Sequence, residues 1–224
     1  MSAAYSDRPL PALSPQADLD PDNDLEVGPP NAVPDCEPRL EAAGVTYSRA
    51  EIPLHRGRQG IATCGANDAV IYRTGPTGAQ LRPPALVTCR LALALADLEQ
   101  LTQELASRHF GSRVRTINQG GTFNCRKMAR FRLVSEHSFG NAIDVRSFTL
   151  SDGRTISVQR DFGTLGKPPL NNRSKFLREL GEQAFDRAIV SVSLGPYWDA
   201  LHRDHFHFDM ARYRVDGSRP GSTR

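Results

Sequence analysis

Residues 141–158 read NAIDVRSFTLSDGRTISV, and their pattern decides the fold class. The first part, Asn141–Phe148, alternates between two faces and predicts a β-strand. Ser151-Asp152-Gly153 is typical of a tight turn, and Thr155–Val158 predicts a strand that returns beside the first. Strands joined by so short a turn pair in antiparallel orientation, so the sequence predicts an antiparallel hairpin here.

Helical patterns lie on both sides of this hairpin. Upstream, five leucines recur at helical spacing and Gly111 closes the pattern, which predicts one helix. These leucines are Leu91, Leu95, Leu98, Leu101 and Leu105. Downstream, Ser174–Asp186 predicts a second helix. Further strands are predicted at Ala69–Tyr72, Val114–Ile117 and His205–Met210, and Gly120-Gly121 predicts a turn. Because helices and hairpins interleave without a βαβ repeat, we predict an α+β fold: a small, mostly antiparallel sheet with flanking helices.

The composition predicts one globular domain with a tail at each end. The chain has 224 residues, of which 39% are hydrophobic and 24% charged, as in ordinary globular proteins. Residues 1–35 hold seven of the sixteen prolines and many acidic side chains, which predicts a disordered linker. We expect the folded domain at 36–214 and a flexible tail at 215–224.

Cysteine usage indicates the compartment. Four cysteines without a CxxC pair favour two disulfides over a cysteine zinc site. They are Cys36, Cys64, Cys89 and Cys125, and the sequence leaves all three connectivities open, as it does the alternative of free thiols in a cytosolic protein. Disulfides are typical of oxidising compartments. Residues 1–15 lack a cationic start and an apolar core, so they are not an export signal. The cysteines and the acidic, proline-rich start favour a periplasmic or cell-envelope protein, whose export signal is absent from this sequence, over a cytosolic one.

Two large classes of partner are disfavoured by the residue pattern. No apolar stretch approaches the roughly 18 residues that a membrane helix needs, so no membrane span is predicted. The net charge is +3, and the basic residues are scattered rather than grouped in a dense Lys/Arg block. We therefore predict no nucleic-acid partner.

Three histidines near the C-terminal end are the first candidates for a functional site. The segment 202–207 reads HRDHFH, so His205 and His207 lie two apart on a predicted strand and point to the same face. Two imidazoles side by side need polar partners, which a hydrophobic core does not supply. His202 precedes the strand by a short turn and can fold back over the same face. A bound metal or a reacting substrate explains the cluster.

A second group lies in the segment 135–144, SEHSFGNAID. Asp144 falls within an apolar strand, where a carboxylate is expected to be paired or metal-bound. A salt bridge from Asp144 to Arg146 or to another arginine is the alternative. Together with the distant histidine cluster, His137 and Asp144 favour a metal site, because two imidazoles and one carboxylate suit catalytic zinc with one position left for water.

These motifs resemble those of the LAS metallopeptidases (lysostaphin, D-alanyl-D-alanine peptidases and the hedgehog fold). The pattern SxHxxGxAxD is matched by Ser135, His137, Gly140, Ala142 and Asp144, and HxxHxH by His202, His205 and His207. From 36 to about 210 the chain also resembles the bacterial extensin-like C-terminal domain, with matching phrases such as Thr88–Ala92 and Asn124–Arg126. The resemblance implies a fold like that of hedgehog and the D-alanyl-D-alanine peptidases.

The resemblance also implies roles for individual residues. His137, Asp144 and His207 would bind Zn²⁺. His205 would be the general base, and His202 would stabilise the transition state or orient the substrate. Arg126 would bind substrate or the developing oxyanion, although the phrase GGTFNCR at 120–126 departs from the SGYR pattern of the peptidases.

The leading functional prediction is a zinc-dependent endopeptidase that cleaves D-amino-acid-containing cross-links of peptidoglycan stem peptides. The HxxHxH form favours an endopeptidase over a carboxypeptidase. The alternative is a non-catalytic, zinc-containing module that binds cell wall or a protein partner; a regulatory partner is not identified by the sequence. A metal-dependent nuclease or phosphoesterase is disfavoured, because such sites usually gather more carboxylates for two metals and the motifs here offer one good carboxylate ligand.

Overall fold

A computed structural model describes residues 29–57, 63–129 and 134–211. Its helices are α1 (Cys36–Ala42), α2 (Cys89–Phe110), α3 (Val158–Asp161) and α4 (Asn172–Asp186). Short 3-10 turns occur at Glu136–Phe139 and Ala200–His202. The strands are β1 (Thr46–Arg49), β2 (Ile52–His55), β3 (Cys64–Ala66), β4 (Ala69–Thr74), β5 (Gln80–Thr88), β6 (Val114–Gly121), β7 (Ala142–Leu150), β8 (Thr155–Ser157), β9 (Val192–Leu194) and β10 (Phe206–Asp209).

Eight strands form the main sheet, in the order β1-β4-β5-β6-β7-β10-β9, with β8 paired to β7. All neighbouring pairs are antiparallel except β5 and β6. Strands β2 and β3 form a separate antiparallel pair. The predicted α+β class and mostly antiparallel sheet are therefore confirmed.

The helices pack on one face of the sheet, and the histidines lie on the opposite face. Helix α2 contacts β4, β5, β6 and α4, and its buried leucines form much of the core. Ile143 and Val145 of β7 and Phe206 and Phe208 of β10 are buried in this core. Since side chains alternate along a strand, the residues between them, including His207, point to the opposite face.

The elements predicted from periodicity are present, with one correction. Helix α2 ends at Gly111, which adopts a left-handed backbone with φ 59° and donates its N–H to the Ser107 carbonyl. Gly120-Gly121 was wrongly predicted to form a turn, because both residues extend β6 and pair irregularly with β7. Most of the predicted linker, residues 1–28, and the whole predicted tail lie outside the described residues.

Two disulfides join the four cysteines, so the alternative of free thiols is wrong. Cys36 pairs with Cys89, linking α1 to the start of α2, and Cys64 pairs with Cys125, linking β3 to the segment after β6. Such bonds are typical of proteins that fold in an oxidising compartment outside the cytoplasm. Within the described part of the chain, no helix is both long and apolar enough to cross a lipid bilayer.

Replacing Cys36 and Cys89 together by serine is expected to lower the free energy of unfolding by about 2–4 kcal/mol. The bond closes a loop of 53 residues, and closing so long a loop restricts the unfolded chain. Urea denaturation followed by circular dichroism measures the change. Adding reductant to the native protein should lower the midpoint at least as far, and an unchanged midpoint in the double variant would contradict the prediction.

Candidate metal centre

Three separate elements bring His137, Asp144 and His207 together on the face opposite the helices. His137 lies in the 3-10 turn Glu136–Phe139, Asp144 in β7 and His207 in β10, where it is the direct cross-strand partner of Asp144. Gly140 ends the 3-10 turn with φ 63°, and a Cβ there would lie 2.7 Å from the Ile52 Cδ1 atom. The glycine of the motif therefore provides the sharp turn that returns the chain from His137 to Asp144.

The three candidate ligand atoms form a nearly equilateral triangle. The His137 Nε2 atom lies 3.2 Å from Asp144 Oδ1 and 3.1 Å from His207 Nδ1, and His207 Nδ1 lies 3.1 Å from Asp144 Oδ1. A tetrahedral zinc ion with bonds of about 2.0–2.1 Å separates its ligands by about 3.3–3.4 Å. The triangle is therefore the right size to hold a metal ion.

Hydrogen bonds on the far side of each ring determine the tautomers. His137 Nδ1 faces the carbonyl oxygen of Thr122 at 3.1 Å, so it carries the proton and donates. His207 Nε2 faces Asp209 Oδ2 at 3.0 Å and donates in the same way. In neutral imidazoles this leaves lone pairs on His137 Nε2 and His207 Nδ1, both directed at the Asp144 carboxylate. Three acceptor atoms that converge in this way require a cation between them, either a proton or a metal.

The pKa shifts of Asp144 and His207 also indicate a cation between these three atoms. Burial raises the pKa of Asp144, but when His137 and His207 carry a proton on the facing nitrogen they donate to this carboxylate, and these hydrogen bonds outweigh burial and hold its pKa far below its usual range. Burial has the opposite effect on His207 and lowers its pKa. The hydrogen bonds to Asp144 and Asp209 outweigh burial and raise the pKa of His207 to about 9. Without a metal, a proton on His207 would occupy the position of the cation.

His205 and His202 lie beside the triangle rather than within it. His205 directly precedes β10, its Nε2 atom is 3.6 Å from Asp144 Oδ1, and its Nδ1 donates to Asp204 Oδ1 at 2.9 Å. His202 Nδ1 donates to Asp199 Oδ1 at 2.7 Å, and its ring centroid lies 5.4 Å from that of His205. In both neutral rings the Nε2 atom is left as an acceptor.

Arg126 is not brought into this cluster by the described contacts. Its exposed side chain donates from Nη1 to the carbonyl oxygen of Lys127 at 3.3 Å. Its backbone N–H donates to Ser138 Oγ at 2.9 Å, which ties the segment after β6 to the 3-10 turn that carries His137. The role of Arg126 in binding substrate stays a prediction.

The partners of the histidines were only partly visible in the sequence. Asp204, Asp209 and Glu136 lie next to or near histidines in the sequence, and the first two do contact histidines in the structure. Glu136 instead accepts from the Asn141 side chain at 2.6 Å. Asp199 was missed, although its position three residues before His202 is typical of a cap. The Thr122 carbonyl gave no sequence signal, because any residue carries one.

Arg146 does not pair with Asp144, so the salt-bridge alternative is wrong. Within the described residues, the partners of the Asp144 carboxylate are histidines. A second geometric group, His55 with Cys64 and Cys125, offers no thiolate for a metal, because the two cysteines are bonded to each other.

Asp209→Asn is expected to weaken zinc binding by about 10–100-fold, as loss of an orienting carboxylate usually does. Asp209 accepts from His207 through Oδ2 and from the Ala211 N–H through Oδ1 at 2.9 Å. An asparagine has only one oxygen for these two donors. Competition against a chromophoric chelator measures the affinity. Asp204→Asn is the matched control, since Asp204 contacts His205, and equal affinities in the two variants would contradict the prediction.

Comparison with known proteins adds one assignment. A profile of the extensin-like protein C-terminus family matches residues 34–219, which include every histidine and carboxylate of the cluster. A search of curated proteins and a search of solved structures each found no match. Because the profile covers most of the chain, this protein belongs to the extensin-like protein C-terminus family.

Proposed function

We propose that this domain is a zinc-dependent peptidase of the LAS metallopeptidase type that cleaves cross-link peptides in bacterial peptidoglycan. One observation carries the proposal. Three converging atoms suffice to hold a metal ion, and a further histidine lies 3.6 Å from the ligand oxygen of Asp144 without belonging to the triangle. Hydrolysis needs both parts, a metal-binding set and a separate group that moves protons.

The proton-moving group is His205. A bound zinc ion would supply a water of lowered pKa and polarise the substrate carbonyl. Because Nδ1 of His205 donates to Asp204, Nε2 keeps its lone pair, and this atom lies 3.6 Å from Asp144 Oδ1, where it can accept the proton of the attacking water. The same nitrogen then donates that proton to the amine that leaves when the peptide bond breaks.

His202 is assigned to substrate orientation. Burial lowers the pKa of His202, and the hydrogen bond to Asp199 only partly offsets this effect. The neutral ring is therefore favoured, and its Nε2 atom can accept a hydrogen bond from a substrate N–H. Stabilisation of a developing negative charge, the other predicted role, would require the protonated ring.

Two features support peptidoglycan as the substrate. The SxHxxGxAxD and HxxHxH motifs are similar to those of D-alanyl-D-alanine peptidases and murein endopeptidases, respectively. The two disulfides suit an oxidising compartment, where a periplasmic enzyme meets the cell wall.

The test is digestion of purified peptidoglycan with the zinc-loaded protein, followed by mass spectrometry of the released muropeptides. Loss of cross-linked dimers with the wild-type protein, and not with the His205→Ala variant, would establish an endopeptidase and name the bond that is cut. Muropeptides that stay unchanged with both proteins would contradict the proposal.

A non-catalytic zinc-containing binding module is the second candidate, and the position of Arg126 favours it. The related peptidases bind substrate or the developing oxyanion through an arginine. The Arg126 side chain, in contrast, is exposed and donates to a neighbouring carbonyl. A binding module would sediment with insoluble peptidoglycan and leave the cross-links intact. The digestion and a sedimentation assay on the same sample therefore separate the two candidates.

A further inference from the structure

A cavity of about 230 Å³ opens beside the candidate metal centre. Its lining includes two arginines, three hydroxyl groups and one carboxylate, besides the Gln159 amide. These are Arg146, Arg160, Ser147, Thr155, Ser157 and Asp204. The cavity is polar and lies over the β7–β8 hairpin, whose strands supply Arg146 and the hydroxyls.

The cavity adjoins the reacting region through two of its residues. Arg146 follows Asp144 by two positions on β7 and therefore projects from the same face, about 7 Å further along the strand. Asp204 is the carboxylate that accepts from His205 Nδ1 at 2.9 Å. An extended peptide advances at most about 3.3–3.6 Å per residue, so a group bound here would lie one or two residues from the bond that is cut.

The charge of the cavity favours an anion. Two guanidinium groups and one carboxylate give a net charge of +1, and Asp204 is already engaged by His205. Asp204 is the one carboxylate among the residues that line the cavity, and it lies close enough to Arg146 for their opposite charges to attract. Guanidinium groups bind carboxylates through paired hydrogen bonds, and the nearby hydroxyls add further donors.

Gly120 of β6 makes room for one of these arginines. A Cβ on Gly120 would lie 2.5 Å from the Arg146 Nε atom, so the arginine side chain lies across the strand where another residue would place its own. The backbone of Gly120 is outside the left-handed region, which means that the glycine is explained by space and not by conformation. The position of Arg146 thus depends on two neighbouring strands.

We propose that this cavity is a subsite for a free carboxylate of the substrate peptide, located one or two residues from the scissile bond. The inference rests on the proposed peptidase function and deepens it, because it selects acidic peptides over their amidated forms. Arg146 and Arg160 would bind the carboxylate, and the hydroxyls would complete its hydrogen bonds.

The test measures affinity for two peptides that differ in one functional group. The probes are a cross-linked stem-peptide dimer with free carboxylates and the same dimer with those carboxylates converted to amides. Isothermal titration of the zinc-loaded His205→Asn protein gives both dissociation constants, because asparagine lacks the Nε2 base but keeps an N–H donor for Asp204. We expect a preference of about 10-fold or more for the free carboxylates, as loss of charge-assisted bonds implies.

Three further variants, each combined with His205→Asn, locate the effect. Arg160→Gln should remove most of the preference. Gly120→Ala should reduce it without changing charge, by displacing Arg146. Arg39→Gln, which removes an exposed arginine on α1, should leave it unchanged. Stoichiometric zinc in each variant would show that the site remains folded.

The outcomes separate this inference from the proposed function. Equal affinity for both probes, no binding of either, or a preference that survives Arg160→Gln and Gly120→Ala would overturn the subsite. Absence of cleavage by the wild-type protein, with the carboxylate preference intact, would overturn the peptidase and leave the carboxylate-binding cavity standing.

Discussion

Asp144→Ala is expected to abolish stoichiometric zinc binding. The Asp144 Oδ1 atom lies 3.2 Å from His137 Nε2 and 3.1 Å from His207 Nδ1, so it forms one corner of the ligand triangle. It is also the carboxylate on which the two imidazole lone pairs converge. Its removal leaves two neutral nitrogens with no negative charge to hold a divalent ion. Because loss of a group that only orients a ligand costs about 10–100-fold in affinity, loss of a ligand should cost more.

Elemental analysis of the purified, dialysed variant measures the zinc content. Asp152→Ala is the matched control, since Asp152 lies in the turn after the same strand and its exposed carboxylate pairs with Arg154 at 2.6 Å. That variant should keep its zinc. Circular dichroism checks that both variants are folded. Stoichiometric zinc in Asp144→Ala would refute the ligand set.

The second large effect is expected from His205→Ala, which should retain zinc and lose hydrolysis. Proton transfer by a positioned side chain contributes about 10²–10⁴-fold to rate, and the variant should lose a factor in this range. His205 Nε2 lies 3.6 Å from Asp144 Oδ1, outside the triangle of ligand atoms, so its removal leaves the metal-binding atoms in place.

The rate of muropeptide release and the zinc content of the same preparation are measured together. His55→Ala provides the control, because His55 is an exposed histidine on β2 that hydrogen-bonds to the Pro53 carbonyl. It should keep both zinc and activity. A fully active His205→Ala protein would contradict the assignment of the base, and loss of its zinc would move His205 into the ligand set.

Local patterns in the sequence predicted the elements that carry the site. The leucines of α2 and the alternation along β7 depend only on the 3.6- and 2-residue periods of regular structure. The same alternation predicted that Asp144 and Arg146 share a face. His137, Asp144 and His207 were selected from the motifs, and they do meet.

Contacts between residues far apart in the chain could not be predicted from these local patterns. The connectivity Cys36–Cys89 and Cys64–Cys125 depends on how α1, α2 and β3 are arranged in space. Gly120 and Gly121 have the composition of a turn, yet β6 continues through them because pairing with β7 and the space required by Arg146 outweigh local preference.

The sequence by itself determined helices α2 and α4, strands β4, β6, β7, β8 and β10, the faces on which the chemical side chains lie, and the residue types that suit a metal. Only the tertiary structure decided which atoms converge: Thr122 and Asp209 orient the two imidazoles, and Arg146 is directed to a cavity rather than to Asp144. The physical reason is that side-chain direction along one element is set by local backbone periodicity. Distances between elements depend on strand register and packing, which involve residues far apart in the chain.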